Sequence, residues 1–367
     1  MITLDNVSKE YPDGTQAVRG VSFEVQDGEL CVLLGPSGCG KTTTMKMINR
    51  LIPITGGRIL IDGVENTAID ENELRKNIGY AIQEIGLFTH MTVAQNIETV
   101  PSLKGWPKAR RRERAGELLR LVRLEPSEFL DKFPNELSGG QRQRVGVARA
   151  LGADPPVLLM DEPFGAIDPI NRVELQSEFL KIQEKIRKTI IFVTHDIYEA
   201  IKMGDKIALM REGSLVQYDT PASLIYQPKD EFVEGFVGAD RALKGLQLIR
   251  VKEVMDASPT TVDLAETTRA AQDRMRKQGT DVLPVVHQDR FVGWIGKDAV
   301  GEGEDLSRVV NRNVATVSVN AVLNEALSVM LSSGLKSLPI VDTDDRLRGV
   351  LSFDAIQQAL QEAGSSR

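Results

Sequence analysis

The stretch LCVLLGPSGCGKTTTMKMINRL, residues 30–51, decides the fold of the first part of the chain. It begins as a short apolar run typical of a buried strand, turns at glycines and continues with helical spacing. Its centre matches the pattern G-x-x-x-x-G-K-[ST] at every specified position, in the strand-to-helix context that the pattern requires. Such glycines let backbone N–H groups approach an anion, and the start of the helix adds positive potential. We therefore predict a loop that binds the phosphates of ATP, formed by Gly35, Pro36, Ser37, Gly38, Cys39, Gly40, Lys41, Thr42 and Thr43.

Two acidic residues end a second apolar run, VLLMDEP at residues 157–163. A strand ending in Asp161 would place a carboxylate beside a Mg²⁺ ion at the phosphate loop, where the Thr42 hydroxyl can bind the metal and Lys41 can bridge the β- and γ-phosphates. Glu162 follows at once, close enough to orient or deprotonate a water molecule. The alternative is a simple capping turn, but the complete phosphate loop upstream favours the catalytic interpretation.

The apolar runs of the first part indicate an α/β fold. IIFVTHD at residues 190–196 is continuous and rich in branched residues, as expected of a strand buried on both faces of a parallel sheet. Residues 88–136 are polar and lack such runs, and they include the basic sequence KARRRER at 108–114. We predict a mostly helical insertion here, with the basic sequence on a solvated helix face.

A second glycine-rich segment, LSGGQ at residues 137–141, precedes the helical sequence QRQRVGVARAL. Ser138 can cap this helix, and Gly139 and Gly140 leave its first N–H groups uncovered, which predicts a second anion site. The first loop already surrounds one side of a nucleotide's phosphates. We therefore expect the two loops to lie on opposite faces of one ATP, with the second face contributed by another subunit.

Length, charge and cysteine content set the broad class of protein. At roughly 150 residues per domain, 367 residues predict two or three domains. The net charge of −7 argues against a general nucleic-acid-binding surface. Cys31 and Cys39 form no CxxC pair, and a disulfide at Cys39 would obstruct the phosphate loop, so a reducing, cytosolic location is expected. We expect neither a signal peptide nor a membrane-spanning helix, so work at a membrane would require a partner that spans it.

An internal repeat occupies the C-terminal part of the chain. TTVDLAETTRAAQDRMRKQGTDVLPVV at residues 260–286 aligns without a gap with ATVSVNAVLNEALSVMLSSGLKSLPIV at residues 315–341, which pairs Gly279 with Gly334. Each copy is predicted to form a strand, a helix, two strands and a helix, and to bury one face against its twin. The predicted divisions are a first domain at residues 1–237, a linker at 238–251 and repeats at 252–305 and 306–363.

The order and spacing of the phosphate loop, LSGGQ, MDEP and the histidine of FVTHD resemble the nucleotide-binding domain of ATP-binding cassette (ABC) proteins. LSGGQ is the specific element, because other phosphate-loop NTPases lack it. The resemblance covers the predicted first domain. It implies an ABC-type P-loop NTPase domain with a helical insertion, which binds ATP and Mg²⁺.

The resemblance also implies roles for individual residues. Tyr11 corresponds to the aromatic residue that stacks on adenine, with an ordinary aromatic residue at a strand end as the alternative. Gln83, in YAIQEIGLF, resembles the glutamine that contacts Mg²⁺ and the attacking water and links the site to the helical insertion. Asp168 resembles the loop aspartate that crosses a dimer interface, His195 resembles the switch histidine at the γ-phosphate, and Glu162 is the implied general base. The implied ligands of Mg²⁺ are Thr42, Gln83 and Asp161.

In the family, two nucleotide-binding domains pack head-to-tail with two ATP molecules between them. ATP closes this dimer and hydrolysis opens it. By resemblance, the chain would form a homodimer in which a signature segment closes over the ATP of the other subunit. That segment comprises Ser138, Gly139, Gly140 and Gln141.

Two classes of function remain open. One is a soluble cassette ATPase. A cassette ATPase of DNA repair would contain a long inserted coiled coil, but no sustained heptads occur in this sequence. A cassette ATPase of translation would carry two cassettes, but the phosphate loop occurs once. A transporter subunit fits better. The sequence EGFVGADRALKGLQLIRVKEVM at 234–255, followed by the repeats, resembles ATP-binding subunits of osmoprotectant importers for glycine betaine, carnitine or choline. The implied partners are a membrane permease and an extracytoplasmic solute-binding protein, with the chain at the cytoplasmic face of the inner membrane. Another small solute is the alternative.

The repeats resemble a pair of cystathionine β-synthase (CBS) domains, which often bind adenine nucleotides or sense ionic strength. Nucleotide-binding repeats commonly read G-h-h-[ST]-x-x-D, where h is hydrophobic. Here the corresponding segments run from Gly293 to Asp298 and from Gly349 to Asp354, and both are one residue shorter before the acid. The first also has Gly296 in place of the hydroxyl residue. A nucleotide effector, a response to ionic strength and a purely structural dimerisation module therefore remain as alternatives.

Overall fold

The chain divides into two compact units. The computed structural model describes residues 1–82, 86–165, 167–297 and 305–365. The first unit comprises Met1–Leu224 with Pro228–Phe236, and the second comprises Ile225–Gln227 with the chain from Val237 onward. The second unit thus includes Ile225–Gln227, which lie within the predicted first domain at residues 1–237. The predicted domain boundaries therefore stay a prediction. In these described ranges, no helix combines the length and apolar character needed to cross a membrane.

The described strands of the first unit form two sheets. The strands are β1 (Ile2–Glu10), β2 (Gln16–Val25), β3 (Leu30–Leu34), β4 (Gly56–Ile61), β5 (Val64–Glu65), β6 (Ile78–Ala81), β7 (Val157–Asp161), β8 (Thr189–Val193), β9 (Lys206–Arg211) and β10 (Ser214–Asp219). One sheet is antiparallel, in the order β2-β1-β4-β5. The other has the order β10-β9-β3-β8-β7-β6, and only its β10–β9 pair is antiparallel. The parallel strands end at one edge of the sheet, where ligands of such sheets bind.

Helices connect these strands, form the insertion and follow the last strand, β10. They are α1 (Lys41–Ile48), α2 (Glu71–Lys76), α3 (Val93–Leu103), α4 (Lys108–Leu121), α5 (Pro126–Phe129), a 3₁₀ turn (Pro134–Glu136), α6 (Gly139–Ala150), α7 (Pro169–Ile186), α8 (Ile197–Met203), α9 (Pro221–Tyr226) and α10 (Glu231–Val237). Between residues 88 and 136 every element is helical, as predicted. The basic run begins α4, where Arg112 forms an ion pair with Asp131 on a solvated face.

One hydrophobic core cluster of the first unit contains residues of both sheets. The predicted strands β3, β7 and β8 are buried at every residue. Their apolar side chains pack with those of β1 and with Met45 and Ile48 of α1. This packing fixes the position of α1 relative to β3. The loop that joins them is therefore held between a buried strand and a buried helix face.

The second unit repeats one small α/β pattern. Its elements are α11 (Arg241–Gly245), α12 (Val251–Val254), β11 (Val262–Asp263), α13 (Thr268–Gln278), β12 (Val282–His287), β13 (Arg290–Gly296), α14 (Leu306–Val309), β14 (Val317–Ser318), α15 (Leu323–Ser333), β15 (Ser337–Val341), β16 (Leu347–Ser352) and α16 (Phe353–Ser365). The sheets β11-β12-β13 and β14-β15-β16 share one topology. Gly279 and Gly334 end α13 and α15 at φ of 64° and 67°, a left-handed conformation that favours glycine. The closing helix predicted for the first copy falls partly on residues 298–304, outside the described residues.

The two repeats exchange their leading segments. Leu246 and Val251, which precede the first repeat, are fully buried in the core of the second. Leu306, the first residue of the predicted second repeat, is buried in the core of the first. Backbone bridges between Arg250 and Val322 and between Trp294 and Asn311 fix the same exchange. Each repeat core is therefore completed by chain from outside its own repeat.

We expect Leu246→Ala to destabilise the second unit by about 2–5 kcal/mol, because it removes a fully buried side chain from a packed core. Leu243→Ala is the matched control, since Leu243 is 49% exposed in α11, the helix that ends just before Leu246, and surface substitutions change stability by only about 0.5 kcal/mol. Calorimetric unfolding of the full chain measures both. Equal, small effects of the two substitutions would contradict the exchange of segments.

Candidate active site

The loop between β3 and α1 has a conformation that requires glycine. Gly35, Gly38 and Gly40 have φ of 147°, 78° and 104°. A Cβ atom on Gly35 would lie 2.2 Å from the carbonyl oxygen of Met210, and one on Gly40 would lie 2.5 Å from that of Ala17. No side chain caps the first N–H groups of α1. The loop and the helix start together offer backbone donors to an anion.

Lys41 places a positive charge inside this loop. Its side chain is buried, and Nζ donates hydrogen bonds to the carbonyl oxygens of Gly35 at 2.7 Å and Pro36 at 2.9 Å. The other predicted loop residues surround it. Pro36, Ser37 and Gly38 are exposed, Cys39 is buried, and Thr42 and Thr43 are half-buried in the first turn of α1.

Thr42 and Asp161 bring two oxygen ligands together beside the loop. The Thr42 hydroxyl donates to Asp161 Oδ1 at 3.3 Å. Asp161 ends β7 and is buried, which raises the pKa of its carboxyl group. No cluster of three or more His, Cys, Asp or Glu side chains that could hold a metal ion occurs in the described part of the chain. The pair suits Mg²⁺, which is usually held by one or two protein oxygens together with phosphates and water.

Glu162 and His195 form a hydrogen-bonded pair at the ends of neighbouring strands. Glu162 Oε1 lies 2.9 Å from His195 Nδ1. The Glu162 side chain is 22% exposed and that of His195 is 64% exposed, so water can reach the pair. Glu162 has a φ of 45°, in the left-handed region that non-glycine residues rarely occupy. A carboxylate paired with an imidazole can accept a proton from water beside the phosphate loop.

Gln143 is a site residue that the sequence analysis did not identify. It lies on α6, and its Nε2 donates to the carbonyl oxygen of Glu162 at 2.9 Å. Helical spacing places it on the same face as Val147 and Ala150, which are buried. A glutamine on the otherwise apolar face of α6 was the signal in the sequence that could have indicated a buried hydrogen-bond partner.

Ser138 and Gln141 begin α6 with a reciprocal cap. The Ser138 hydroxyl oxygen accepts from the Gln141 N–H at 3.2 Å, and the Gln141 side-chain oxygen accepts from the Ser138 N–H at 2.9 Å. This capping box orients the start of the helix. A Cβ atom on Gly139 would meet no atom within 4 Å, and neither Gly139 nor Gly140 has a positive φ. Within one chain, therefore, the φ angles of Gly139 and Gly140 do not require glycine. A side chain at position 139 would also have room.

Asp168 caps α7. Its carboxylate accepts from the side-chain nitrogen of Asn171 at 2.8 Å and from the Asn171 N–H at 3.1 Å, and these bonds lower the pKa of Asp168. The Arg172 guanidinium holds the preceding loop through the carbonyl oxygens of Gly165 and Ile167. The predicted contact of Asp168 with a second subunit stays a prediction.

Of the remaining two predicted residues, the structure describes Tyr11 but not Gln83. Tyr11 follows β1, is 36% exposed, and has Lys9 Nζ at 5.2 Å from its ring centroid. An exposed ring is compatible both with stacking on adenine and with a simple strand-end position. Gln83, the predicted link to Mg²⁺ and water, lies outside the described residues.

Comparison with known proteins identifies the family of the chain. The family model described as ABC transporter matches residues 18–165, and that of the CBS domain matches residues 251–300 and 305–362. The choline transport ATP-binding protein OpuBA of Bacillus subtilis is 46% identical, over 96% of this chain and 94% of that protein. The osmoprotectant import ATP-binding protein OsmV of Salmonella typhimurium is 45% identical, over 100% and 98%.

Solved structures give the same result for the first unit. The dimeric structure of MJ0796, a bacterial ABC transporter cassette, superimposes with a TM-score of 0.57 at 35% identity. It covers 60% of this chain and 99% of its own. Together with the similarity to curated proteins over nearly the whole length, this places the chain in the ABC transporter family, as a member that carries two CBS domains.

Proposed function

We propose that this chain is the ATP-hydrolysing subunit that powers import of a quaternary-amine compatible solute through a separate membrane permease. Glycine betaine, choline and carnitine are the candidate solutes. The observation that carries the proposal is the meeting of the phosphate loop, the Thr42–Asp161 pair and the Glu162–His195 pair at one sheet edge. Relatives named for choline transport and osmoprotectant import, similar over nearly the whole chain, support the class of solute.

In this proposal each group acts on one part of the nucleotide. The loop glycines, the start of α1 and Lys41 bind the phosphates, and Tyr11 stacks on adenine. Thr42, Asp161 and Gln83 hold Mg²⁺, which neutralises phosphate charge when bound. Glu162 orients the attacking water and takes its proton, while His195 holds the carboxylate and contacts the γ-phosphate.

The working unit in this proposal is a homodimer. At the start of α6, Gly139 and Gly140 occupy positions where the chain's own backbone angles require no glycine. Close approach of another subunit's ATP supplies a reason for both glycines. Ser138 and Gln141 then shape this surface through their cap, and Asp168 lies at the interface.

The chain acts with membrane partners rather than alone. We propose that it docks through its helical insertion on a permease at the cytoplasmic face of the membrane. An extracytoplasmic solute-binding protein delivers the solute to that permease. No role with nucleic acid is proposed.

Transport in proteoliposomes tests this function. The chain and its permease are reconstituted, and uptake of labelled glycine betaine, choline and carnitine is measured with ATP on the side that carries this subunit. ATP-dependent uptake of at least one quaternary amine is expected. Uptake of only a different solute would support an importer of another class. A rate of ATP hydrolysis that does not change when the permease is present would support a soluble ATPase instead.

We propose that the CBS pair is a regulatory or dimerisation module of this ATPase. The Ser352 hydroxyl, at the position of the nucleotide-binding motif, accepts from the Ala355 N–H at 3.1 Å and so caps α16. Gly296 offers no hydroxyl in the first repeat, and Asp298 lies outside the described residues. These features favour a response to ionic strength or dimerisation over a nucleotide effector.

Truncation after Gly238 is expected to keep basal ATP hydrolysis and to remove its dependence on salt or on a small nucleotide. Hydrolysis by the intact and truncated subunits is measured in the reconstituted transporter across a salt series and with added AMP. Since Leu243 is exposed in α11, full-length Leu243→Ala serves as a control that keeps the module. Regulation of the truncated transporter like that of the intact one would refute a sensory role.

A further inference from the structure

Glu162 holds an unfavourable backbone conformation directly after β7. Its φ of 45° lies in the left-handed region, which is unfavourable for a non-glycine residue. Such a conformation persists only where surrounding bonds hold it, and it occurs often at active sites. The direction of the carboxylate depends on this backbone conformation, because the dihedral angles of Glu162 set the direction of its Cα–Cβ bond.

Hydrogen bonds at its N–H and carbonyl groups hold the Glu162 backbone. Its N–H donates to the carbonyl oxygen of Val193 at 3.0 Å, which continues the pairing of β7 with β8. Its carbonyl oxygen accepts from the Gly165 N–H at 3.1 Å and from Gln143 Nε2 at 2.9 Å. The first two bonds come from the chain that adjoins the strands. The bond from Gln143 is made by a side chain, and it comes from a different helix.

Gln143 is suited to this task by its burial. It is 4% exposed, so water cannot readily replace its amide as a donor to Glu162. A buried hydrogen bond is strengthened by the low dielectric, and its loss leaves a polar group unpaired. The bond also ties the left-handed peptide to α6, a regular helix whose start is fixed by the Ser138–Gln141 cap.

We propose that Gln143 is a positioning residue for ATP hydrolysis, which holds the Glu162 peptide so that its carboxylate stays at the attacking water and against His195. This inference rests on the proposed role of Glu162 as general base. It also gives α6 two tasks. One helix carries the signature segment at its start and, about one and a half turns later, the side chain that holds the base of the same chain's own site.

Gln143→Met tests the proposal, because methionine keeps the length and packing of the side chain and removes the amide donor. We expect kcat to fall about 10-fold to 100-fold with an unchanged KM for ATP, since small misplacements of a catalytic group carry penalties of that order. We also expect the ATP-bound dimer to accumulate, as seen by size-exclusion chromatography with ATP, because closure precedes the impaired step. A purely structural defect would instead reduce dimer formation.

Gln183→Met is the matched control. Gln183 is similarly buried and makes three hydrogen bonds, with Gly28 and through two bonds with Lys188, at the opposite end of the parallel sheet. Its substitution should lower thermal stability at least as much as Gln143→Met and leave kcat unchanged. If Gln143→Met does not fold, Gln143→Asn keeps a polar side chain that is too short to reach Glu162, and the same readouts apply.

Unchanged kcat in a folded Gln143 variant would overturn the proposal, as would a loss of kcat that Gln183→Met reproduces. Glu162→Gln, measured in parallel, separates this outcome from failure of the proposed function. Inactive Glu162→Gln with fully active Gln143→Met removes only the positioning role. Active Glu162→Gln removes the role of Glu162 as base and the inference with it.

Discussion

Glu162→Gln is expected to reduce ATP hydrolysis about 10²–10⁴-fold while ATP binding and ATP-driven dimer formation persist. The magnitude is that of a lost general base. Glutamine has the same shape and can still form a hydrogen bond with His195, which lies at 2.9 Å from the native carboxylate. It cannot accept the proton of the attacking water. Steady-state phosphate release measures hydrolysis, and size-exclusion chromatography with ATP measures the dimer.

Glu212→Gln provides a closely matched control for this experiment. Glu212 has a φ of 49°, follows directly after β9, and is 75% exposed, so it shares the left-handed backbone of Glu162 without the site. Its substitution removes the same charge and should leave turnover unchanged. Unchanged turnover of Glu162→Gln would remove Glu162 from its role. Loss of ATP binding as well would mean that the side chain supports the fold of the site rather than the chemistry.

Lys41→Ala is expected to weaken ATP binding about 100-fold or more. Truncating one partner of a buried, hydrogen-bonded charge pair costs about 2–5 kcal/mol, which is roughly 30-fold to 5,000-fold in affinity. Lys41 is buried in the loop, and without its ammonium group the carbonyl oxygens of Gly35 and Pro36 lose a donor. Both the phosphate contact and the shape of the loop therefore suffer. Equilibrium dialysis with labelled ATP measures the affinity.

Lys46→Ala removes the same charge from the same helix at an exposed position. Exposed charges are screened by water and salt, so this variant should bind ATP within about 2-fold of the native affinity. Comparable weakening by the two substitutions would mean that the net charge of α1, and not the ammonium group inside the loop, attracts the nucleotide.

The fold could be predicted from the sequence wherever a local pattern decides the structure. β3, β7 and β8 are built on continuous apolar runs, a pattern typical of strands buried on both faces. The Ser138 cap follows from one hydroxyl residue before a helical stretch, and the repeat follows from its aligned glycines. In each of these cases the residues that decide the element are neighbours along the chain.

Features that depend on distant residues could not be predicted in this way. The bond from Gln143 to Glu162 joins a helix to the end of a strand, and the apolar pattern of α6 indicates only that Gln143 is buried. The left-handed φ of Glu162 also has no sequence signal, because glutamate is not a residue that favours it. Likewise, the apolar residues Leu246 and Leu306 indicate burial without indicating in which repeat.

In the proposed homodimer, one chain is half of an ATPase and each site is shared between two subunits. The most direct test mixes Lys41→Ala subunits with Ser138→Arg subunits, neither of which should form ATP-closed dimers alone. In a mixture of equal parts, head-to-tail pairing leaves about a quarter of the composite sites with a native loop and a native signature segment. We predict that ATP-driven dimer closure returns in the mixture, as measured by size-exclusion chromatography. Complete absence of closure in the mixture, with both variants folded, would contradict it.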